Sequence, residues 1–315
     1  MNEGQHAIDA LKTIALETVK EQRRARRWGI FFKLFFVAYL LLTLFLVFGS
    51  LGGKRGVDAI AAEEITAVVD VKGVIMDGAE ASADMLVPGL RKAFEHEKTR
   101  GVILRINSPG GSPVQAGYIN DEIRRLREKY EDIPVYAVVS DMCASGGYYI
   151  AVAADEIYAD KASLVGSIGV RMDSFGFTEA MKKLGVERRL YTAGANKGML
   201  DPFLPEEPGQ ISHVEKMLDV THQQFIKVVK DGRGDRLKNN PDIFSGLFWT
   251  GETAVELGLV DGLGSTSYVA RELIGAESMV NFTVQKDLIQ RLADRVSASL
   301  KMLVVGETTP KTVLY

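Results

Sequence analysis

The 315-residue chain carries 41 acidic and 38 basic side chains, and its formal net charge of −3 gives no basis for nucleic-acid binding. Its single cysteine, Cys143, excludes an intrachain disulfide, so the folded state must be stabilised by a hydrophobic core. Hydrophobic residues form 46% of the sequence, and this share includes one long apolar run near the N-terminus.

The apolar run predicts a single transmembrane helix at residues 29–52. Residues 34–52 carry no charge, and together with residues 29–32 they are long enough to cross a hydrocarbon layer of about 30 Å. Basic residues are more frequent before the run than after it: Lys20, Arg23, Arg24, Arg26, Arg27 and Lys33, against Lys54 and Arg55. The positive-inside rule therefore places residues 1–28 in the cytoplasm and the bulk of the chain outside the membrane. A cleaved signal peptide stays an alternative, although no Ala-X-Ala site closes the apolar run.

Beyond a short polar linker at residues 53–64, strands alternate with helices. Apolar runs predict strands at residues 67–76, 101–106, 135–139, 156–159, 164–171, 187–192 and 280–284. Helical periodicity predicts helices at 84–98, 114–130, 148–154, 178–184 and 211–230, and a further one through Leu288, Leu292, Val296, Leu300 and Leu303. Because strand and helix follow each other repeatedly, we expect an α/β fold with a parallel sheet and right-handed crossovers.

Ser145 lies between the third predicted strand and the helix that follows it, after a predicted turn at residues 140–143. The N-terminus of a helix supplies free backbone N–H groups and a positive dipole end, which suit an oxyanion, so this serine resembles a nucleophile. Cys143 is an alternative nucleophile, although a lone thiol beside an apolar strand is more often a buried hydrophobic residue.

A nucleophilic serine needs a base, and the four histidines, His6, His96, His213 and His222, lie in no recognisable catalytic context. Lys197 is the other candidate. A lysine accepts a proton only when its surroundings disfavour the ammonium form, and the small residues on either side of Lys197 permit the close packing that this requires. Local context alone nevertheless favours a solvated loop lysine.

Four motifs follow one another in a fixed order: residues 107–111 (NSPGG), 144–149 (ASGGYY), 166–170 (GSIGV) and 193–197 (AGANK). In order and spacing this set resembles that of the signal peptide peptidase A (SppA) family, in its short form with one catalytic domain. The resemblance covers about residues 65–275, so residues 276–315 are interpreted as a C-terminal extension.

The resemblance implies an α/β fold of the Clp-protease/crotonase type and a Ser-Lys dyad, with no cofactor or metal. By the family's motifs, Ser145 is the nucleophile and Lys197 the general base. The backbone N–H groups of Gly111 and Gly146 match the oxyanion hole, and the hydroxyl of Ser167 matches a group that orients the lysine amine. From the sequence alone, Ser167 is equally well explained as a turn serine that bonds to its own backbone.

The function that the resemblance implies is a serine endopeptidase, anchored in the inner membrane with its catalytic domain in the periplasm. It would cleave hydrophobic peptides such as released signal peptides, as a homo-oligomeric ring in which neighbouring chains share each active site. The amphipathic helix at 211–230 is a candidate contact surface for such a ring. Two alternatives stay open on the sequence: a crotonase-like acyl-CoA binder or inactive membrane scaffold, and a regulatory protease of one membrane protein.

Overall fold

A mixed β-sheet with helices packed on it forms the centre of the fold. The computed structural model of the chain describes residues 20, 24, 26–43 and 64–284. Within these residues the strands are β1 (Ile65–Lys72), β2 (Thr99–Ser108), β3 (Val135–Ala144), β4 (Glu156–Ala159), β5 (Leu164–Gly166), β6 (Phe248–Thr250), β7 (Gly262–Leu263) and β8 (Met279–Asn281). Their order is β6-β5-β3-β2-β1-β8, and β4 lies beside β3 and β7. The pairs are parallel except for β5 with β6, so the predicted parallel sheet is confirmed apart from that edge.

The helices connect the strands in the order that the sequence predicts. They are α1 (Ala83–Glu95), α2 (Pro113–Lys129), α3 (Gly146–Ala151), α4 (Thr178–Leu184), α5 (Pro208–Arg233), α6 (Gly251–Glu256) and α7 (Thr266–Tyr268). Short 3₁₀ turns at Gly234–Arg236 and Pro241–Phe244 and a π-helical turn at Val269–Ile274 accompany them. Helices α1 and α2 are the crossovers of β1, β2 and β3, and a helical crossover is what allows consecutive strands to run parallel.

Both faces of the sheet are covered, as a largely parallel sheet requires. On one face, apolar side chains of α1 and α2 pack on alternate residues of the central strands: Leu86, Leu90, Ile119 and Ile123 on Val69, Leu104 and Val139. On the other face, Val68, Ile103 and Val138 pack on Val269 and Ala270 of the π-helical turn. Each fully buried Leu, Ile or Val contributes about 1.5–3 kcal/mol relative to an exposed one, so these clusters stabilise the domain.

Two predictions of local structure are wrong, each for a physical reason, and the strand predicted at 164–171 extends only to Gly166. Residues 140–143 form no turn, because β3 continues to Ala144 and its second half pairs with β5, with Met142 opposite Leu164. The strand predicted at 187–192 does not form, and its residues are exposed and irregular. An alternating sequence makes a strand only where another strand can accept its hydrogen bonds.

The N-terminal part of the chain is a separate unit, Met1–Ala62. Residues 26–43 are helical. Within the described residues, no helix combines the length and apolar character needed to cross a membrane. The predicted membrane segment at 29–52 is described only as far as residue 43. The linker up to residue 63, the helix expected through Leu288–Leu303 and the end of the C-terminal extension lie outside the described residues.

Glu122 of α2 joins the two helices that cover the central strands. Its carboxylate accepts hydrogen bonds from Arg125 on the same helix, at 2.7 and 2.8 Å, and from Arg91 on α1, at 2.7 Å. These bonds, led by those from Arg125, outweigh the effect of burial and lower the pKa of Glu122 from its ordinary value of 4.5 to about 2.

We expect the contribution of Glu122 to stability to depend on pH. A carboxyl whose pKa is lowered by folding stabilises the folded state above its unfolded pKa and loses that effect as the pH falls through the folded value. At neutral pH, Glu122→Gln should therefore have a lower free energy of unfolding than the wild type, and the difference should shrink between about pH 4.5 and about pH 2. Urea unfolding across that range measures it, with the exposed Glu131→Gln as control. A difference that stays constant with pH would contradict this account.

Candidate active site

Ser145 lies at the junction of β3 and α3 in a conformation that residues with a Cβ rarely adopt. Its φ is 53°, which costs about 1–3 kcal/mol for a residue other than glycine. Two backbone hydrogen bonds hold it there: its N–H donates to the carbonyl of Gly166 on β5 at 2.8 Å, and its carbonyl accepts from the N–H of Tyr149 at 2.9 Å. Strained serines held in this way occur at nucleophile positions between a strand and a helix.

Ser145 lines a cleft of about 1050 Å³ at the carboxyl ends of β2 and β3. The carboxyl end of a parallel sheet is where such folds place their sites, because neighbouring strands deliver their following loops to one edge. The walls are mainly apolar: Val74, Val114, Met142, Tyr149, Leu164, Phe225 and Phe248. The polar residues on the cleft are Ser145, Ser167, Thr221, Gln224 and Ser245, together with Arg171.

The turn after β2 brings a second backbone segment against Ser145. Ile75 donates its N–H to the carbonyl of Gly110 at 2.9 Å and accepts from the N–H of Ser112 at 2.7 Å, and this pair of bonds does not use the N–H of Gly111. A Cβ on Gly146 would lie only 3.2 Å from the Gly111 nitrogen, so the two glycines are in contact. Gly146 is the first residue of α3, where the N–H has no acceptor within the helix. The two amides beside Ser145 are therefore suited to stabilise an oxyanion.

The close approach of this turn requires glycine. A Cβ on Gly110 would lie 2.7 Å from the Cβ of Ser145, and one on Gly111 would lie 2.0 Å from the carbonyl oxygen of Ile75. Both residues also have positive φ values, 97° and 151°. No other residue type fits this conformation and this spacing without displacing the turn.

Ser167 lines the same cleft, in the loop that follows β5. Its φ of 52° is again unusual for a residue with a Cβ, and its backbone N–H donates to the carbonyl of Leu247 at 2.7 Å. The loop is thus fixed by a backbone contact from outside the motif, and the residue stands on the same cleft as Ser145.

Lys197 is the one predicted site residue that the structure does not bring to the cleft. It lies in an exposed turn between α4 and α5, and its side chain is not among those that line the cleft. Among the described residues on the cleft, the ionisable side chains are Tyr149 and Arg171. Burial raises the pKa of Tyr149, and an arginine does not deprotonate, so neither is suited to act as a base near neutral pH.

Cys143 is excluded as the alternative nucleophile by its position. Its side chain is completely buried in the main hydrophobic cluster, and burial raises the pKa of the thiol. A nucleophilic cysteine needs an accessible thiolate, which these surroundings disfavour.

His222 lies near the cleft, although its sequence context indicates no catalytic role. The Nε2 atom of His222 on α5 lies 3.2 Å from the carbonyl oxygen of Ile168, next to Ser167. Its neighbours Thr221, Gln224 and Phe225 line the cleft. The available signal was helical spacing, since His222 stands three residues before the buried Phe225 and so lies on the same side of the helix.

Comparison with known proteins places the chain in a family. The model of peptidase family S49 matches residues 127–279. A putative protease of Synechocystis is 33% identical over 200 residues, which cover 62% of this chain and 69% of the relative. A putative signal peptide peptidase SppA of Enterococcus faecium is 30% identical, over 69% of this chain and 64% of the relative.

Other similar proteins are less directly comparable. Proteins of Brucella abortus and Brucella melitensis named Na(+)/H(+) antiporter NhaA are 47% identical over 220 residues, or 68% of this chain, but the matched region is only 30% of their length. Among solved structures, a mutant of the 1510-N membrane-bound stomatin-specific protease aligns over 75% of this chain and 99% of that chain, with 16% identity and a TM-score of 0.44. The family model and the Synechocystis relative carry the assignment: the chain belongs to peptidase family S49, a family of serine peptidases, in agreement with its resemblance to the SppA family.

Proposed function

We propose that the chain is a serine endopeptidase in which Ser145 attacks the peptide carbonyl. The observation that carries this proposal is the strained Ser145 on the cleft, with the Gly111 and Gly146 amides beside it. A base takes the Oγ proton as Oγ bonds to the carbonyl carbon, and the two amides donate to the resulting oxyanion. The amine then leaves with the proton from the base. Water hydrolyses the acyl-enzyme by the same route.

The proposed base is Lys197, supplied by a neighbouring copy of the chain. The cleft of one chain holds no suitable base among its described residues, whereas Lys197 stands on an exposed segment at 170–207. That segment exposes large apolar side chains, which a second copy could bury: Phe175, Phe177, Leu184, Val186, Tyr191 and Phe203. Burial between two chains would also favour the neutral amine, and the Ser167 hydroxyl would orient it. A closed ring of copies gives every cleft a lysine.

The proposed substrates are hydrophobic peptides, including signal peptides already released from their proteins. The apolar walls of the cleft suit such side chains. We further propose a single membrane anchor at residues 29–52, with the catalytic domain on the outer side of the cytoplasmic membrane. The charge asymmetry around that segment supports this topology. An anchored enzyme would meet these peptides where they are left, at the lipid surface.

Replacing Ser145 tests the nucleophile. We expect Ser145→Ala to abolish hydrolysis of a fluorogenic hydrophobic peptide, because it removes the hydroxyl that stands beside the two amides and forms the acyl-enzyme in the proposed mechanism. Cys143→Ser should keep its activity if the protein stays folded. A fluorophosphonate should label Ser145, as located by mass spectrometry of the digested protein. Turnover by Ser145→Ala, or an adduct at another residue, would reject the assignment.

The oxyanion hole is tested by adding one methyl group. Gly111→Ala places a Cβ 2.0 Å from the Ile75 carbonyl oxygen, so the turn must move and carry the amide away from the cleft. Loss of one oxyanion donor lowers kcat by about 10²–10³-fold, and we expect a fall of that size here. Gly117→Ala is the matched control, since a Cβ there meets no atom within 4 Å. Equal kcat values in the two variants would show that the Gly111 amide has no catalytic role.

Mixing two inactive variants tests the shared site. Ser145→Ala and Lys197→Ala should each be inactive alone, because each removes one partner of the same proton transfer. When they are co-expressed and co-assembled, some boundaries pair an intact serine with an intact lysine, so part of the activity should return. Sedimentation analysis should find the activity in an oligomer. Inactive co-assembled mixtures, or an active monomer, would place both residues of the dyad within one chain.

A further inference from the structure

The segment that carries Lys197 is an arm with few ties to the rest of the domain. We define the arm as residues 170–207; none of its residues is buried. Its contacts are largely internal, since the N–H of Phe177 donates to the carbonyl of Pro202 at 2.7 Å and the rings of Phe177 and Phe203 stack at 5.5 Å. An ion pair of Arg188 with Asp201 lies within the arm as well. The arm therefore keeps its own shape, and its placement is decided where it joins the domain.

The arm joins the domain at two roots. The first root is a strap, residues 166–169, in which the carbonyl of Gly166 accepts from Ser145 and Ile168 is completely buried. The second root is α5. The far end of α5 is fixed by Arg233, which is 1% exposed and donates two hydrogen bonds to Asp261 at 2.7 and 3.0 Å. Both roots are thus attached to the sheet, but by separate contacts.

His222 ties the two roots to each other. Its Nε2 lies 3.2 Å from the carbonyl oxygen of Ile168, and because a carbonyl can only accept, Nε2 must carry the hydrogen. Among the described residues, this is the hydrogen bond that links the strap to α5. A shift of α5 against the strap would move one end of the arm relative to the other.

We infer that His222 is a positioning residue that clamps the roots of the arm and thereby sets where the arm holds Lys197. The inference rests on the proposed function, because it concerns the placement of the proposed base. It does not depend on which chain's cleft receives that base. A base must be placed closely, since an error of about 1 Å can cost about 100-fold in rate.

The geometry of the bond defines a discriminating pair of variants. In glutamine, the amide nitrogen stands as many bonds from Cα as Nε2 does in histidine, so His222→Gln can donate to the Ile168 carbonyl. In asparagine the amide group stands where Nδ1 lies, too close to the helix to reach that oxygen. His222→Leu fills the space without a donor. His213→Leu, on an exposed part of the same helix, is the control for loss of a histidine.

The experiment uses the full chain and two readouts. The first is kcat and KM for a fluorogenic hydrophobic peptide; the second is amide hydrogen exchange of peptides that cover the strap and the start of α5. We expect His222→Asn and His222→Leu to lower kcat by about tenfold or more while KM changes less than about threefold. Exchange of the strap should become faster in both. His222→Gln and His213→Leu should resemble the wild type.

Several outcomes would reject the positioning role of His222. One is a wild-type kcat and strap exchange in His222→Asn. Another is damage in His222→Gln equal to that in His222→Leu, which would indicate a need for ring volume rather than for a donor. If His222→Leu fails to fold, as judged by thermal unfolding, the Gln and Asn variants still decide. Because hydrogen exchange needs no turnover, its result stands even if Ser145→Ala proves active and the proposed function fails.

Discussion

The site depends on the close approach of the glycine turn after β2 to the junction of β3 and α3. Parallel neighbouring strands make this possible, because their carboxyl ends meet at one edge of the sheet. A shift of register after Ile106 sets Ser108 opposite Cys143, so both strands end at the same level. A Cβ on Gly147 would lie 3.1 Å from the Ser108 carbonyl, which shows how closely α3 sits on the end of β2. This packing offsets the strain of about 1–3 kcal/mol at Ser145.

The weakly charged cleft also constrains the base. A lysine that enters it from a second chain loses water, which disfavours the ammonium form, and no described carboxylate on the cleft offsets that loss. The positive charge of Arg171 also disfavours the ammonium form of an incoming lysine, although water screens this effect strongly because the Arg171 side chain is 87% exposed. The apolar walls that suit hydrophobic peptides would therefore also supply the neutral amine that the proposed mechanism needs.

The sequence predicted the central strands, the crossover helices and the position of Ser145, because these follow from local periodicity and from a motif in which each residue has a steric role. It failed where structure depends on distant partners. Residues 140–143 form part of β3 only because β5 lies beside them, and residues 187–192 have no such partner within the part of the chain that the structure describes. The motif identified Lys197, and the resemblance implied that neighbouring chains share each site; the structure adds that Lys197 stands away from the cleft of its own chain. His222 has no catalytic context in the sequence because its contact is with a backbone atom, and such a contact leaves no pattern of residue types.

In the proposed mechanism the active site has two parts: one fixed to the sheet, and one carried by the arm of another chain. The proposed nucleophile and the proposed oxyanion donors stand at the end of the sheet, where strand pairing and glycine packing hold them within one chain. In the proposed assembly an isolated chain has everything except its base, so peptide hydrolysis begins only when a second chain supplies the arm. The arm must then be both exposed enough to reach a neighbour and placed accurately enough to transfer a proton. Contacts within the arm keep its shape while leaving it exposed to a neighbour. Its placement is fixed at the roots, where His222 bonds to Ile168 and Arg233 bonds to Asp261.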